Sequence, residues 1–440
     1  MAVGSGPDMS YSSSHFPIKP SSRDIVAVSL GVGIEFFDFS IYATFALMIG
    51  QTFFPSEGHF TSLLFSVSTF AVGFIARPLG ALLLGSYGDR IGRKPIMLIS
   101  LIGMALGTAG MAFLPGYASI GPLAPILLVV CRLLQGLSWG AEAGPSTSFL
   151  MEAAPPHRRG FYVSWQVVAQ GCASLLGGLI GYGLNLVLNE QQLTAWGWRI
   201  PFVLGLAFMP VAFYLRWQLE EKFQYADCHQ APLRAVFGRY LKAVVIGILM
   251  ISGSTITQYF LYYLVTYARH DLGYSGATAM ASPIVVGLGV MLFSLLGGWL
   301  SDRFGARRVI IVPRLLLLAL LWPCMALINA HLPPWLYLSV VSLLTALQCI
   351  SGAGLVVALC LSFPQAVRAS GFSVTYTFGI TLFGGTAQAL FAWLVQATGQ
   401  AIAPLWYLIA TNLLCILASL CLPPGYQPPE HANQLPTRTP

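Results

Sequence analysis

Five ionisable side chains lie within long apolar stretches of the sequence. They are Glu35, Asp38, Arg77, Arg132 and Glu142. Each is a candidate functional residue, because a charge at the centre of a lipid bilayer costs at least about 2.5–3.5 kcal/mol on insertion scales. A carboxyl group in apolar surroundings can exchange a proton, and an arginine presents a planar fork of N–H donors that fits a carboxylate. The residue types therefore indicate proton exchange and anion binding.

The spacing of these residues places them on common helical faces. Glu35 and Asp38 are three positions apart, which puts both on one face of a helix. Arg132, Gln135 and Glu142 fall on a stripe about 80° wide when each residue advances the helix by about 100°. We expect such polar stripes to face the interior of a helix bundle rather than lipid.

The residues on these helical faces are predicted to lie at similar depth in the membrane. Counting about 1.5 Å of helix rise per residue places Glu35, Arg77 and Arg132 at similar depth, so we expect one cavity. There Arg132 is predicted to bind a substrate carboxylate, and Glu35, Asp38 or Glu142 to carry a coupled proton. Arg77 is predicted to be a structural partner of the acids. The alternative is that both arginines only neutralise Glu35 and Asp38 as structural ion pairs.

Uncharged polar residues are further candidates for contact with a solute. Gln135, Gln166, Gln170 and Tyr262 are predicted to bind the substrate together with the arginine fork. The alternative for such side chains is a contact between packed helices or at the membrane interface. Arg314 lies close to the end of another apolar stretch, and it is predicted to extend its guanidinium group to the membrane surface.

The composition indicates an integral membrane protein. Only 8% of the 440 residues are charged and 56% are hydrophobic, whereas soluble domains are about 25% charged. So much apolar sequence also excludes a disordered chain. The eight cysteines are dispersed and form no Cys-x-x-Cys pair, so we expect no disulfide scaffold, no metal site and no cofactor.

Apolar stretches of roughly 20 residues, enough to cross a bilayer as helices, define the predicted architecture. Twelve spans are predicted over 24–49, 61–86, 95–115, 123–151, 160–188, 199–219, 240–268, 277–301, 308–330, 335–363, 370–397 and 402–422. Basic residues such as Arg93 and Arg158 gather in the loops after even-numbered spans. By the positive-inside rule, both termini are therefore predicted to be cytoplasmic, in a multi-pass protein of the inner (cytoplasmic) cell membrane.

A loop motif occurs twice, about 213 positions apart. The first copy contains Gly85, Asp89, Arg90, Gly92 and Arg93, and the second contains Asp302 and Arg303. The motif residues are predicted to act in gating, by capping a helix or pairing across the cytoplasmic face; a role of the basic residues in orientation alone is the alternative. The repeat predicts an N-terminal tail (1–23), a six-helix bundle (24–219), a central cytoplasmic loop (220–239), a second six-helix bundle (240–422) and a C-terminal tail (423–440).

These motifs resemble those of the major facilitator superfamily, and within it the metabolite:proton symporters. The resemblance is carried by Glu35-Phe-Phe-Asp38-Phe, Arg77-Pro-Leu-Gly80, Arg132-Leu-Leu-Gln135-Gly136 and Trp196-Gly-Trp198-Arg199, together with the loop motif. That family includes carriers of citrate, tricarballylate, 2-oxoglutarate and shikimate, and of the osmolytes proline and betaine. The resemblance implies twelve helices in two bundles, and gating by the loop motif.

The expected function is import of a small organic acid, a citrate-like di- or tricarboxylate, with protons by alternating access. The alternatives are a proton-coupled carrier of a zwitterionic osmolyte and a membrane sensor that does not transport. The sequence contains no zinc-protease motif, no phosphate-binding loop and no serine-nucleophile motif. No enzyme is therefore expected. The expected partners are the organic acid, protons and the lipid bilayer, without nucleic acid, and the protein is expected to function as a monomer.

Overall fold

Long α-helices account for most of the structure, a computed structural model that describes residues 22–54, 69, 72–85, 87, 91–219, 232–270, 273–274, 276–330, 332–400 and 402–422. The long helices are α1 (Ser22–Thr44), α2 (Val72–Gly85), α3 (Arg93–Phe113), α4 (Leu123–Ala153), α5 (Arg159–Val187), α6 (Ile200–Trp217), α7 (Leu241–His270), α8 (Gly276–Phe304), α9 (Ala306–Asn329), α10 (Pro334–Leu361), α11 (Arg368–Thr398) and α12 (Pro404–Leu420). The described residues form no strand, which agrees with the prediction of an all-α membrane protein.

Four shorter α-helices lie between the long ones in the described part of the chain. They are Ala46–Phe53, Tyr117–Ile120, Glu190–Ala195 and Pro232–Arg239. The last of these lies in the segment predicted to be the central loop, whose residues 220–231 are outside the described residues.

Local sequence explains several helix ends. Proline is the first residue of α10 and α12, where its missing N–H removes no helical hydrogen bond. In both copies of the loop motif a glycine with positive φ precedes the next helix, with φ of 106° at Gly92 and 83° at Gly305. An L-residue with a side chain rarely adopts this conformation, so the repeated glycines allow the same tight turn twice.

Nine of the described helices are long and apolar enough to cross a membrane. Among the described apolar helices, α2 and α12 are shorter. The number of twelve spans stays a prediction.

The long helices pack as two groups. Helices α1–α6 pack against one another, as do α7–α12, and we call these groups the N-terminal and C-terminal bundles. Between the bundles, α5 lies along α8, and α11 packs against α2 and α4. The boundaries 24–219 and 240–422 stay predictions.

Helices α5 and α8 meet through their backbones. A Cβ atom added to Gly160 would lie 2.5 Å from the carbonyl oxygen of Gly298, and one added to Gly171 would lie 2.9 Å from that of Gly287. Both distances are too short for a side chain, so glycine is required where the helices touch. We call this contact the glycine seam.

One end of the molecule carries the turns after α2 and α8, and we call it the motif face. The start of α1 meets the end of α6 through a hydrogen bond from Arg23 to Gln218. The start of α9 meets the end of α12, because Arg307 donates to the carbonyl oxygen of Leu422 over 3.0 Å. Both ends of the described chain therefore lie on this face. That the face is cytoplasmic stays a prediction.

Candidate functional site

A cavity lies between the two bundles. Its wall is apolar over most of its area, with a small number of polar groups, as in sites that bind small molecules. The polar groups are Arg77 and Gln170 from the N-terminal bundle and Ser254, Thr255, Gln258, Tyr259, Tyr262, Gln348 and Tyr376 from the C-terminal bundle. We call this space the central cavity.

Among the described residues that line the central cavity, Arg77 is the cation. Its guanidinium carbon lies 3.9 Å from the ring centroid of Phe74, 4.0 Å from that of Trp139 and 5.0 Å from that of Phe39. Aromatic faces stabilise a cation without occupying its in-plane N–H donors. The buried Nε atom of Arg77 has no hydrogen-bond partner among the described residues. Tyr259, which also lines the cavity, lies within hydrogen-bonding reach of the guanidinium group. Arg77 therefore brings a positive charge to the cavity wall, with one donor that no described residue uses.

Arg132, in contrast, is held within the N-terminal bundle. Its Nη1 atom lies 3.5 Å from Oδ2 of Asp38, and its guanidinium carbon lies 3.7 Å above the ring of Tyr42. Asp38 also accepts hydrogen bonds from Thr108 over 2.9 Å and from Gln135 over 2.8 Å. Arg132 and Gln135 thus contact a buried carboxylate and do not line the central cavity. Their predicted role in substrate binding stays a prediction.

A second, smaller cavity lies inside the N-terminal bundle. Glu35, Asp38, Arg77 and Arg132 all line it, so the structure brings these four charges together. Arg77 lines both cavities and forms part of the wall between them. Oε1 of Glu35 is buried without a hydrogen-bond partner among the described residues.

Glu142 binds an arginine that sequence reasoning did not identify. Arg216, in the last turn of α6, is completely buried and forms a salt bridge with Glu142. Ser100 also donates to Glu142 over 2.7 Å, and the carboxyl group of Glu35 lies within hydrogen-bonding reach of the same acid. Arg216 lies near the end of the predicted span 199–219 and is not among the charged residues that the sequence analysis identifies. The sequence signal for Arg216 is that Glu142, an acid on α4 at a similar depth, has no predicted basic partner.

The remaining predicted substrate residues divide between two places. Gln170 and Tyr262 line the central cavity. Gln166 is buried beside α4 and accepts a hydrogen bond from Thr147. The structure thus places two of the five predicted substrate residues at the central cavity, and it adds Arg77.

Arg314 does not reach the membrane surface, so that prediction is wrong. The side chain is completely buried between α9, α10 and α12. Its Nη1 atom lies 2.5 Å from Oδ1 of Asn412, and Nη2 lies 3.4 Å from Oε1 of Gln348. The two amide groups draw the guanidinium inward instead of leaving it to extend along the helix.

The second copy of the loop motif joins the two bundles at the motif face. Asp302 accepts hydrogen bonds from the backbone N–H groups of Gly160 over 2.7 Å and Phe161 over 2.9 Å. These N–H groups lie at the start of α5 and have no carbonyl partner within the helix. The helix dipole also favours a negative charge at this end. Arg303 is exposed beside Trp299. Asp302 thus holds α5 and α8 together.

The first copy of the motif is described only in part. Asp89 and Arg90 lie outside the described residues. A Cβ atom on Gly85 would lie 3.2 Å from Oγ of Ser373 on α11, so Gly85 allows close packing between the bundles. Gly92 forms the turn described above.

Arg93 also joins the bundles at the motif face. It lies 3.3 Å from Oε1 of Glu152, an oxygen that also pairs with Arg368 of α11 over 3.1 Å. One carboxylate from the N-terminal bundle therefore binds an arginine from each bundle.

Replacing Asp302 by asparagine is expected to open the motif face. Asparagine loses the negative charge and one acceptor at the start of α5, and a hydrogen bond to a charged group contributes about 1.5–3 kcal/mol. Maleimide labelling of a cysteine placed at Ser164, in a cysteine-free background, should become at least about fivefold faster. Ser301→Ala, which removes only a donor to Gly297 of its own helix, is the matched control. Equal labelling rates in D302N and S301A would refute the gating role.

Fold and cavities together define a multi-pass α-helical membrane protein in which two helix bundles enclose a polar central cavity. The chain belongs to the Major Facilitator Superfamily, whose family model matches residues 28–388. The predicted fold class is therefore confirmed.

Two curated relatives and one solved structure show what the chain is similar to. It is 36% identical to the citrate-proton symporter of Klebsiella pneumoniae over 403 residues, 90% of this chain and 90% of that protein. It is 30% identical to the proline/betaine transporter of Salmonella typhimurium over 416 residues, 91% of this chain and 83% of that protein. Its fold matches the proton:xylose symporter XylE of E. coli with a TM-score of 0.72 at 18% identity, covering 90% of this chain and 94% of that one.

Proposed function

We propose that this protein is a proton-coupled symporter of the inner membrane that imports a citrate-like di- or tricarboxylate by alternating access of its two bundles. The observation that carries the proposal is Arg77, a buried cation that lines the central cavity without an ion-pair partner among the described residues. Charge-assisted bonds from an arginine fork to a carboxylate are short, and they are about twice as strong as neutral hydrogen bonds. The citrate-proton symporter at 36% identity supports the same substrate class.

The proton is assigned to Glu35. Asp38 and Glu142 are each bound by an arginine and by further hydrogen-bond donors, whereas Glu35 keeps an unpartnered oxygen in the smaller cavity beside Arg77. A substrate carboxylate on Arg77 would offset the positive charge that favours ionised Glu35. Substrate binding and proton uptake then favour each other, which is the requirement for symport.

The alternative substrate is a zwitterionic osmolyte. A quaternary ammonium group is recognised by open aromatic faces. The rings of Phe39, Phe74 and Trp139 hold the guanidinium of Arg77, whereas Tyr259, Tyr262 and Tyr376 also line the cavity. The similarity to the proline/betaine transporter keeps this alternative testable with radiolabelled betaine.

Uptake of radiolabelled citrate into proteoliposomes tests the proposal. Wild-type protein should accumulate citrate only when an inward proton gradient is applied. Glu35→Gln should lose this accumulation by at least about tenfold, because a neutral amide cannot carry the proton, yet should still exchange internal for external citrate. Glu190→Gln, at the start of a short helix between α5 and α6, is the matched control.

Two outcomes would contradict the proposal. Wild-type uptake that ignores the proton gradient would exclude symport, and wild-type protein without citrate exchange would exclude the substrate. Gradient-driven accumulation by E35Q would show that another acid carries the coupled proton.

A further inference from the structure

The spanning part of the C-terminal bundle has a cation but very few acids. Residues 306–422 contain no Asp or Glu, and residues 241–305 contain only Asp271 and Asp302. Asp302 binds the start of α5 at the motif face, and Asp271 lies outside the described residues in the turn after α7. Arg314 is completely buried. No acid within α9–α12 can neutralise it.

Every described partner of Arg314 is neutral. Two amide oxygens, of Asn412 and Gln348, accept its hydrogen bonds, and its buried Nε has no partner among the described residues. A buried charge that lacks a counter-charge is strongly destabilising. The buried guanidinium of Arg314 therefore points to an anion that the protein binds during its function.

A chain of hydrogen bonds connects Arg314 with the central cavity. Because arginine has donors only, it fixes Oε1 of Gln348 toward itself. Nε2 of Gln348 then donates to Oγ of Ser254 over 3.0 Å and to its carbonyl oxygen over 2.7 Å. Oγ of Ser254 therefore accepts from the amide and keeps its own proton to donate. Gln348 and Ser254 both line the central cavity, so the chain ends in a donor at the cavity wall.

The balance of buried charge also favours an anionic substrate. Apart from Arg93 and Arg368, which pair with Glu152, the buried charges of the described residues are four arginines (77, 132, 216 and 314) and three acids (35, 38 and 142). With every group ionised, one positive charge is in excess, and a proton on Glu35 adds a second. A substrate with two carboxylates would neutralise the loaded protein.

We propose that Ser254, polarised by Arg314 through Gln348, forms a second carboxylate subsite, so that the substrate is bound by Arg77 from one bundle and by Ser254 from the other. This inference rests on the proposed transport of an organic acid and adds that the acid carries at least two carboxylates. Arg314 is a positioning residue, since it acts through Gln348. A substrate bound by Arg77 and Ser254 contacts both bundles, and alternating access moves these bundles relative to each other.

Citrate transport kinetics of three variants test the subsite. Ser254→Ala removes the terminal donor, and Arg314→Met removes the charge. Each should raise the KM for citrate at least about tenfold, the value of a hydrogen bond to a charged group, with a much smaller change in maximal rate. Arg314→Lys keeps the charge and should restore part of the affinity. Ser351→Ala, which removes a buried hydroxyl that donates to Ile310, is the matched control for S254A.

The outcomes separate the two proposals. Wild-type protein without citrate exchange would overturn the proposed function, and the subsite with it. Citrate transport by the wild type, with unchanged KM in S254A and R314M, would overturn the subsite alone. If R314M does not fold, S254A carries the test, because it removes one oxygen from a partly buried position. An equal rise of KM in S254A and S351A would show a packing defect and reject the subsite.

Discussion

Replacing Arg77 by methionine should lower the ratio of maximal uptake rate to KM for citrate at least about 100-fold, the loss of two charge-assisted hydrogen bonds. The protein should stay folded, because a flexible apolar side chain can occupy the space between the rings of Phe74 and Trp139. Arg77→Lys keeps the charge but not the planar fork, so its uptake should lie between that of R77M and the wild type. Uptake in proteoliposomes measures the effect, and thermal unfolding in detergent checks the fold. Wild-type KM in R77M would remove this arginine from the site.

Arg132→Met should produce a different defect, a loss of stability. Removing one partner of a buried ion pair leaves an uncompensated charge and costs about 3–5 kcal/mol, and here Asp38 would be left beside Thr108 and Gln135. The double variant R132M/D38N should recover most of that loss, because the remaining amide is neutral. Arg158→Met removes an exposed arginine and should change the free energy of unfolding by less than about 0.5 kcal/mol.

Thermal or denaturant unfolding of the purified variants measures the coupling between the two residues. Additive losses in R132M and D38N would show that the ion pair contributes nothing. A fully stable R132M that fails to bind citrate would instead restore the sequence-based assignment of Arg132 to the substrate.

The helices and the repeat could be predicted because apolar length and glycine have direct structural consequences. A stretch of roughly 20 apolar residues has few other structures in a bilayer. Gly92 and Gly305 were recognisable as equivalent because the motif around them repeats, and both adopt positive φ. The division into bundles at 24–219 and 240–422 follows from the same repeat and stays a prediction.

The roles of the arginines depend on packing that spacing alone does not determine. Similar depth correctly grouped Glu35, Arg77 and Arg132 around one cavity. Which arginine also reaches the space between the bundles depends on how α2 and α4 are rotated, and the rotation is set by side-chain packing over the whole bundle.

Position near a helix end gave the wrong prediction for Arg314 and no reason to identify Arg216. Arg216 and Arg314 both lie close to a predicted span end, where a long side chain usually extends to water. Inward-facing partners on neighbouring helices, Glu142 for the first and Asn412 for the second, decide otherwise. These partners come from segments more than 70 residues away in the chain.

The glycine seam between α5 and α8 has a mechanical consequence. Interlocked side chains resist tilting, since each must leave its pocket before the helices can turn. At Gly160 and Gly171 the helix backbones themselves come close, so few side chains interlock there. We expect α5 and α8 to change their relative tilt at this contact with less steric resistance than two helices with interlocked side chains would meet.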